Sequence, residues 1–296
     1  MMSITDQEFS LFQKLIREQA AISLSSAKKT LLEARLGSRV RELGLSSFSA
    51  YYRHVMNRRG EELAEMLDRV STNETQFFRE PRQFEFLSQL AVHDWQAQAA
   101  AGFRPRQIRA WSAGCSSGEE PYSLAMVLWR HFAPSAGWQI QILATDISTR
   151  VLERARKGIW PVEKARDIPS EYLKRFMLKG TGKQEGKMKA GAEIGSVIRF
   201  ERVNLNDAKY PVTGFFDLIL CRNVLIYFDP QRRSQIIDRL LTHLQPGGVF
   251  LIGHSERLVG MSDKVVNVFP TIYVRVGETS ASLMRGAPSQ EMRAAR

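Results

Sequence analysis

Cysteine is almost absent from this chain: two residues, Cys115 and Cys221, in 296. Two cysteines make no disulfide framework, and five scattered histidines show no metal-ligand spacing. A cytoplasmic, metal-free protein is therefore expected. Long apolar runs are also missing. Met1 to Ser10 holds no segment fit for a signal peptide, and no stretch approaches membrane-spanning length, so no membrane insertion is expected. A catalytic Ser–His or Cys–His pairing is not evident either. What is present is a 44% hydrophobic chain of one large or two modest domains, with a net charge of +11.

The most informative stretch is Trp111-Ser112-Ala113-Gly114-Cys115-Ser116-Ser117-Gly118-Glu119-Glu120-Pro121. Ile108 to Trp111 reads as a buried strand, and Tyr122 to Trp129 as the start of an amphipathic helix with Pro121 in its first turn. A small-residue loop between strand and helix lets backbone approach a nucleotide-like ligand. Its two glycines fall short of the full Gly-x-Gly-x-x-Gly fingerprint, so a bound cofactor and a plain turn both fit. Trp138 to Thr145 is a second strand, ending at Asp146-Ile147-Ser148. A carboxylate there is placed for both hydroxyls of a ribose, or it caps the helix Thr149 to Lys157, a role Ser148 also fits. Ile198 to Val203 then runs into Asn204-Leu205, and Phe216 to Leu220 into Cys221-Arg222-Asn223. Open α/β sheets bind ligands at the carboxyl ends of their strands, and four polar strand tips together indicate a nucleoside cofactor.

These residues, with Ser71-Thr72-Asn73-Glu74-Thr75-Gln76-Phe77-Phe78-Arg79-Glu80, Gly118-Glu119-Glu120-Pro121-Tyr122-Ser123, Ala144-Thr145-Asp146-Ile147, Cys221 to Asp229 and His254-Ser255-Glu256, resemble the chemotaxis-receptor glutamate O-methyltransferases, which use S-adenosylmethionine. The resemblance runs from about residue 5 to 276. It implies an α/β fold: a Rossmann-like class I methyltransferase domain with a small inserted antiparallel β-subdomain, behind an all-helical N-terminal domain. It implies transfer of a methyl group to receptor glutamates, giving methyl esters and S-adenosylhomocysteine. An NAD-dependent oxidoreductase and a non-catalytic nucleotide-binding module are the alternatives. The serines at 116 and 117 suit a methyltransferase loop better than an NAD loop.

The expected organisation is a helical domain over 1–70, with helices Asp6 to Gln19, Ala27 to Leu43, Phe48 to Arg58 and Glu61 to Val70. A linker over 71–80 contributes to the cofactor pocket. The methyltransferase domain follows over 81–276, with the β-insertion at about 163–200. From Gly277 onward a frayed tail is expected. The two cysteines are expected on pocket loops, as small lining groups or as redox-sensitive thiols.

By resemblance, Glu120, or else Glu119, meets the methionine ammonium and Asp146 the ribose. Asn204 and Leu205 flank the adenine, Arg222 and Asn223 line the methionyl floor, and Asn73 and Thr75 close the pocket. Arg79 and Tyr227 hold the substrate carboxylate, with Arg79 also among the cofactor-binding residues, although Tyr227 packing on Phe228 and Leu225 is an equal reading of the residues alone. No general base is needed, because a glutamate with a reference pKa of about 4.3 is already ionised near neutrality. Residues 25–59 carry eight Lys or Arg against two Glu, and residues 150–202 fourteen basic against seven acidic. Lys28, Arg35 and Arg39 share one helical stripe, which reads as a solvated face or as a surface for acidic receptor helices. The modules that would bind nucleic acid are not evident. A monomer is expected, with the β-insertion as a further receptor-tail contact.

Overall fold

The computed structural model describes residues 3–58, 60–71, 73–258 and 263–277. Arg59 of the expected second helix break, Thr72 of the linker motif and the tail beyond Gly277 lie outside the described residues.

Four helices open the chain: α1 (Asp6–Ala20), α2 (Lys29–Glu42), α3 (Phe48–Asn57) and α4 (Glu61–Val70). Local chemistry sets their ends. Thr5 and Glu8 form a reciprocal capping box on α1, and the Ser47 hydroxyl accepts from the Ala50 N–H at the start of α3. Their apolar faces close on Phe12, Ile16, Leu36, Val40, Phe48, Tyr51 and Val55, a core of their own. Lys28 falls in a 3-10 turn (Ser26–Lys28) ahead of α2, so the expected continuous helix from Ala27 begins later.

The remainder is built on a seven-stranded sheet. After α5 (Pro81–Phe86) and α6 (Val92–Ala100) come β1 (Gln107–Ala113), α7 (Glu119–His131), β2 (Gln139–Asp146) and α8 (Thr149–Lys157). A small antiparallel sheet follows, made of β3 (Ile159–Pro161), β4 (Met177–Lys179) and β5 (Lys187–Ala190), with α9 (Ser170–Phe176) and α10 (Ala192–Gly195) beside it. The chain returns as β6 (Ile198–Arg202), then β7 (Phe216–Cys221), α11 (Pro230–Thr242), β8 (Leu244–Ile252), β9 (Val265–Phe269) and β10 (Ile272–Arg275). The small sheet therefore starts before residue 163. Ile198 to Phe200 belongs to the large sheet, paired in parallel with β2, rather than to the insertion.

Strand order is β6-β2-β1-β7-β8-β10-β9, parallel from β6 to β8 and antiparallel beyond. All six residues of β7 are buried, as a parallel strand covered on both faces requires. Alternate residues feed two cores. Ala110, Leu218 and Leu251 face α7 and the insertion, while Trp111, Ile219 and Phe250 face α11. Chain order runs outward from β1 through β2 to β6, then reverses across β1 to β7. That reversal opens a crevice at the carboxyl ends of β1 and β7.

The helical domain closes over this crevice. Asp68 of α4 accepts from the Arg150 N–H and the Thr149 hydroxyl at the start of α8, each at 3.2 Å. The Asn204 amide donates to the Gln19 carbonyl at 2.8 Å, and the Ser23 N–H to the Tyr227 carbonyl at 2.9 Å.

Candidate cofactor and substrate site

One cleft gathers the strand tips, the linker and the near face of the helical domain, enclosing about 1130 Å³ with its open mouth. The glycine loop forms its wall. The Gly114 and Cys115 N–H groups both donate to the Thr145 carbonyl at 2.8 Å, which locks the loop to the end of β2. Gly114 has φ +87°, and a Cβ there would stand 2.4 Å from Val224 Cγ2, so neither conformation nor space admits a side chain.

Asp146 sits at the tip of β2, 8% exposed. Its Oδ2 accepts from the Ser116 N–H at 2.9 Å and its Oδ1 from the Ser148 N–H at 3.0 Å. Burial pushes this carboxyl up, against the pull of the two backbone donors. Each oxygen keeps acceptor capacity for a ligand hydroxyl. Helix α8 has a separate cap, since the Ser148 hydroxyl accepts from the Val151 N–H.

Glu120 lines the cleft, whereas Glu119 is fully buried away from it. Glu119 is held by the Lys164 ammonium and, at 2.7 Å, by the Ser117 hydroxyl. Glu120 Oε1 accepts from the Ser112 hydroxyl at 2.7 Å and Oε2 from Arg222 Nη1 at 3.1 Å. Burial raises the Glu120 carboxyl, and Arg222 opposes it. The same guanidinium, 5% exposed at the residue level, pairs with Glu80 at 3.4 Å and donates to the Arg79 carbonyl. Arg222 thus ties the linker to the floor.

Asn73, Thr75, Arg79, Asn204, Leu205, Asn223 and Tyr227 all line the cleft. The Ser116 hydroxyl donates to the Asn73 carbonyl at 2.9 Å, and Lys164 Nζ to the Thr75 carbonyl at 3.2 Å, so loop and insertion both grip the linker. The Asn204 amide is engaged on both sides, its nitrogen donating to the Gln19 carbonyl and its oxygen accepting from the Asn206 N–H at 2.9 Å, and each atom keeps one further hydrogen-bonding position. Leu205 beside it offers an apolar surface. Beneath Tyr227, Leu225 and Phe228 are buried while the half-buried ring faces the cleft with Lys28 Nζ 5.9 Å from its centroid.

The basic stripe does not form one solvent-facing surface. Lys28 and Arg35 line the cleft, Arg35 donating to the Val70 carbonyl. Arg39 points into the helical domain, with Nη2 2.7 Å from Glu62 and Nη1 3.3 Å from Glu42. Helical angle alone cannot register a neighbouring helix that claims one arginine. The cysteines are also displaced from expectation. Cys115 is buried, Cys221 ends β7 inside the core, and neither lines the cleft. Burial pushes both thiols well up, away from the reactive thiolate.

Two of the six non-glycine residues with positive φ among the described residues, Ser116 and Asn223, line this cleft. Such conformations cost about 1–3 kcal/mol each and persist where surrounding structure holds them, as at ligand sites. The Asn223 Oδ1 and Arg222 Nε are buried without a hydrogen-bond partner among the described residues. Unpartnered polar atoms, a glycine wall without side chains and a carboxylate at the tip of β2 suit the amino-acid and nucleoside ends of S-adenosylmethionine. Among the described residues, no group of three His, Cys, Asp or Glu could hold a metal, and no helix is long and apolar enough to cross a membrane.

Sequence reading missed several parts of this site. Ser112, which holds Glu120, is hidden inside a strand pattern, and Asp68 lies 78 residues before Asp146. Glu80 and Glu256 stand within the quoted motifs, but motif spacing carries no sign of what their carboxylates grip.

The switch-point crevice, its glycine loop and the acidic tip of β2 define a Rossmann-like binding site for a nucleoside cofactor, the class to which S-adenosylmethionine-dependent methyltransferases belong. Comparison with known families agrees. Residues 73–274 match the CheR methyltransferase SAM-binding domain and residues 7–71 the CheR methyltransferase all-alpha domain. The chain belongs to the CheR methyltransferase family. It is 37% identical over 269 residues to chemotaxis protein methyltransferase 2 of Pseudomonas aeruginosa, spanning 91% of this chain and 93% of that one. It is 37% identical over 273 residues to the chemotaxis protein methyltransferase of Borreliella burgdorferi, spanning 92% and 95%. Against the Escherichia coli chemotaxis protein methyltransferase it is 34% identical over 274 residues, 92% of each chain. The NAD-dependent and non-catalytic alternatives find no support in these matches.

Proposed function

We infer that this methyltransferase esterifies glutamate side chains on the cytoplasmic helices of chemotaxis receptors. The names of its relatives support the chemotactic role, and Arg79 and Tyr227, which line the same cleft, support a carboxylate acceptor. Their presence on one cleft is the observation on which the reading rests. When bound, S-adenosylmethionine supplies a methyl group on a sulfonium, activated for in-line displacement.

The residues of the chain have four tasks. Asp146 accepts from the ribose hydroxyls. Glu120, steadied by Ser112 and Arg222, meets the ammonium end. Leu205 covers the base, and Asn73, Thr75, Arg222 and Asn223 close the remaining sides. Arg79 and Tyr227 orient the incoming carboxylate. A positioning charge and hydroxyl suffice, since the nucleophile is already ionised and needs no base; rate comes from alignment and partial desolvation. The cleft's cationic rim, Lys28 and Arg35, favours an acidic substrate segment and acts chiefly on encounter and register. Arg39 has no part in this docking. The domain plan that goes with the reading is helical 1–70, linker 71–80 and methyltransferase 81–276, with the insertion as a contact for a receptor tail.

The test is transfer of a labelled methyl group to purified receptor cytoplasmic domains. Label released as methanol under mild base marks a glutamyl ester. Base-stable label, or none, rejects the reading.

A further inference from the structure

The segment that carries Tyr227 has little of its own to hold it. Asn223 is left-handed, with φ 59°. Leu225–Tyr227 is a single 3-10 turn, and Val224 before it offers no side-chain acceptor. The first N–H groups of such a turn have no partner within it.

The acceptor comes from thirty residues further along the chain. Glu256 Oε1 takes the Leu225 N–H at 2.7 Å and the Ile226 N–H at 3.3 Å. Its Oε2 takes the Gly253 N–H at 2.6 Å and the Asn223 N–H at 3.1 Å. One carboxylate, 2% exposed, thus fastens four backbone donors and joins the tips of the neighbouring strands β7 and β8. The two tips approach closely, for a Cβ at Gly253 would lie 2.7 Å from Asn223 Nδ2 and 2.8 Å from the Asn223 nitrogen. Burial raises this carboxyl while the backbone donors favour its ionised form.

We propose that Glu256 is a positioning residue for methyl transfer, holding the 223–227 segment so that the Tyr227 hydroxyl meets the attacking carboxylate in line. The inference rests on the reading of Tyr227 given above. Glu256 itself is not among the residues that line the cleft. A glutamine in its place keeps one acceptor oxygen and turns an NH₂ toward donors that need an acceptor. The turn then loosens by a fraction of an ångström, which alignment-dependent chemistry feels and binding barely does.

The experiment is a double-mutant cycle in the full-length chain with Glu256→Gln and Tyr227→Phe, read by kcat, by S-adenosylhomocysteine calorimetry and by amide exchange. Glu256→Gln is expected to lower kcat by about 10–50-fold, leave S-adenosylhomocysteine affinity within about threefold and speed exchange at Leu225 and Ile226. In the Tyr227→Phe background the same change should cost less than about threefold, because both substitutions remove one alignment. Equal fold losses in both backgrounds, or parental kcat in Glu256→Gln, overturns the positioning role. Parental kcat in Tyr227→Phe alone instead overturns the role of Tyr227, which separates the two failures. If Glu256→Gln does not fold, Glu256→Asp keeps the charge and withdraws it by one methylene. A kcat loss that disappears in the Tyr227→Phe background supports the proposal, and lost affinity at parental kcat overturns it.

Discussion

Two carboxylates with similarly little exposed surface behave in opposite ways in this molecule, Asp146 lying in the deeper surroundings. Glu62, in the helical domain, is 6% exposed and Asp146, in the cleft, 8%. Burial works against ionisation of both. At Glu62 the Arg39 guanidinium, 3.0 and 2.7 Å away, and the Tyr51 hydroxyl at 3.0 Å outweigh it, and the carboxyl falls below its usual range. At Asp146 two neutral backbone N–H groups do not, and the carboxyl rises. A buried acid paired with its own cation is structural. One left short of positive partners keeps acceptor capacity, and in a cleft that capacity suits a ligand.

The largest expected effect tests the structural side. Glu62→Ala takes the Tyr51 hydroxyl's acceptor and the nearer of the two carboxylates on Arg39, and because Arg39 keeps Glu42 at 3.3 Å and is partly solvated the loss of unfolding free energy should be about 3 kcal/mol at most, the low end for a broken buried pair. Chemical denaturation measures it, and S-adenosylhomocysteine affinity in the surviving fold should be parental. A matching loss of affinity would merge the two regions.

Asp146→Ala should do the reverse, weakening S-adenosylhomocysteine binding by about 1.5–3 kcal/mol at nearly unchanged thermal midpoint, the scale of hydrogen bonds to a charged group. Unchanged titration calorimetry would remove Asp146 from the ribose site. Next in size, Tyr227→Phe should lower kcat by about tenfold and spare cofactor affinity, since only an aligning hydroxyl goes. Equal rates at saturating substrate would leave Tyr227 as packing.

The smallest effects concern charge. Arg35→Glu should raise the substrate KM a few-fold, by about the weight of one rim charge, while Arg39→Glu should instead lower the thermal midpoint. A KM shift from Arg39→Glu at parental stability would restore it to the docking surface. The pH response separates the same two regions. Glu62, with its lowered carboxyl, contributes stability that is present above the unfolded-state value and lost as pH falls through the folded one. Glu120 and Asp146, with raised carboxyls, contribute stability that is full below the unfolded-state value and lost as pH rises through the folded one. The Glu120 charge that meets an ammonium is therefore depleted at a higher pH than for an ordinary glutamate. S-adenosylhomocysteine affinity should fall on mild acidification, and Glu120→Gln should flatten that slope. A flat parental profile would place the ammonium elsewhere.

Much of the fold was legible along the chain because its causes are local. The helix α8 begins and ends where the Ser148 cap and the apolar spacing put it, and α4 runs from Glu61 to Val70 as its periodicity indicates. The insertion was less legible. Three strands of three or four residues, with one face largely exposed, carry too few alternating positions to mark their own ends.

For the site, the order of residues along the chain is enough to tell which groups arrive at the carboxyl ends of the strands: a glycine loop, Asp146, Arg222 and Asn223. Chain direction and the buried-strand pattern dictate that arrival. What each charge faces once there depends on how the folded elements meet, and folding sets it. Folding turned Glu119 toward Lys164 and Glu120 toward Arg222, drew Lys28 and Arg35 into the cleft while handing Arg39 to Glu62, and joined the Asn204 amide to Gln19. Helix and strand periods are short-range and survive in one dimension. Partnership between charges acts across space, over separations as long as the 102 residues between Glu120 and Arg222, and no local pattern records it.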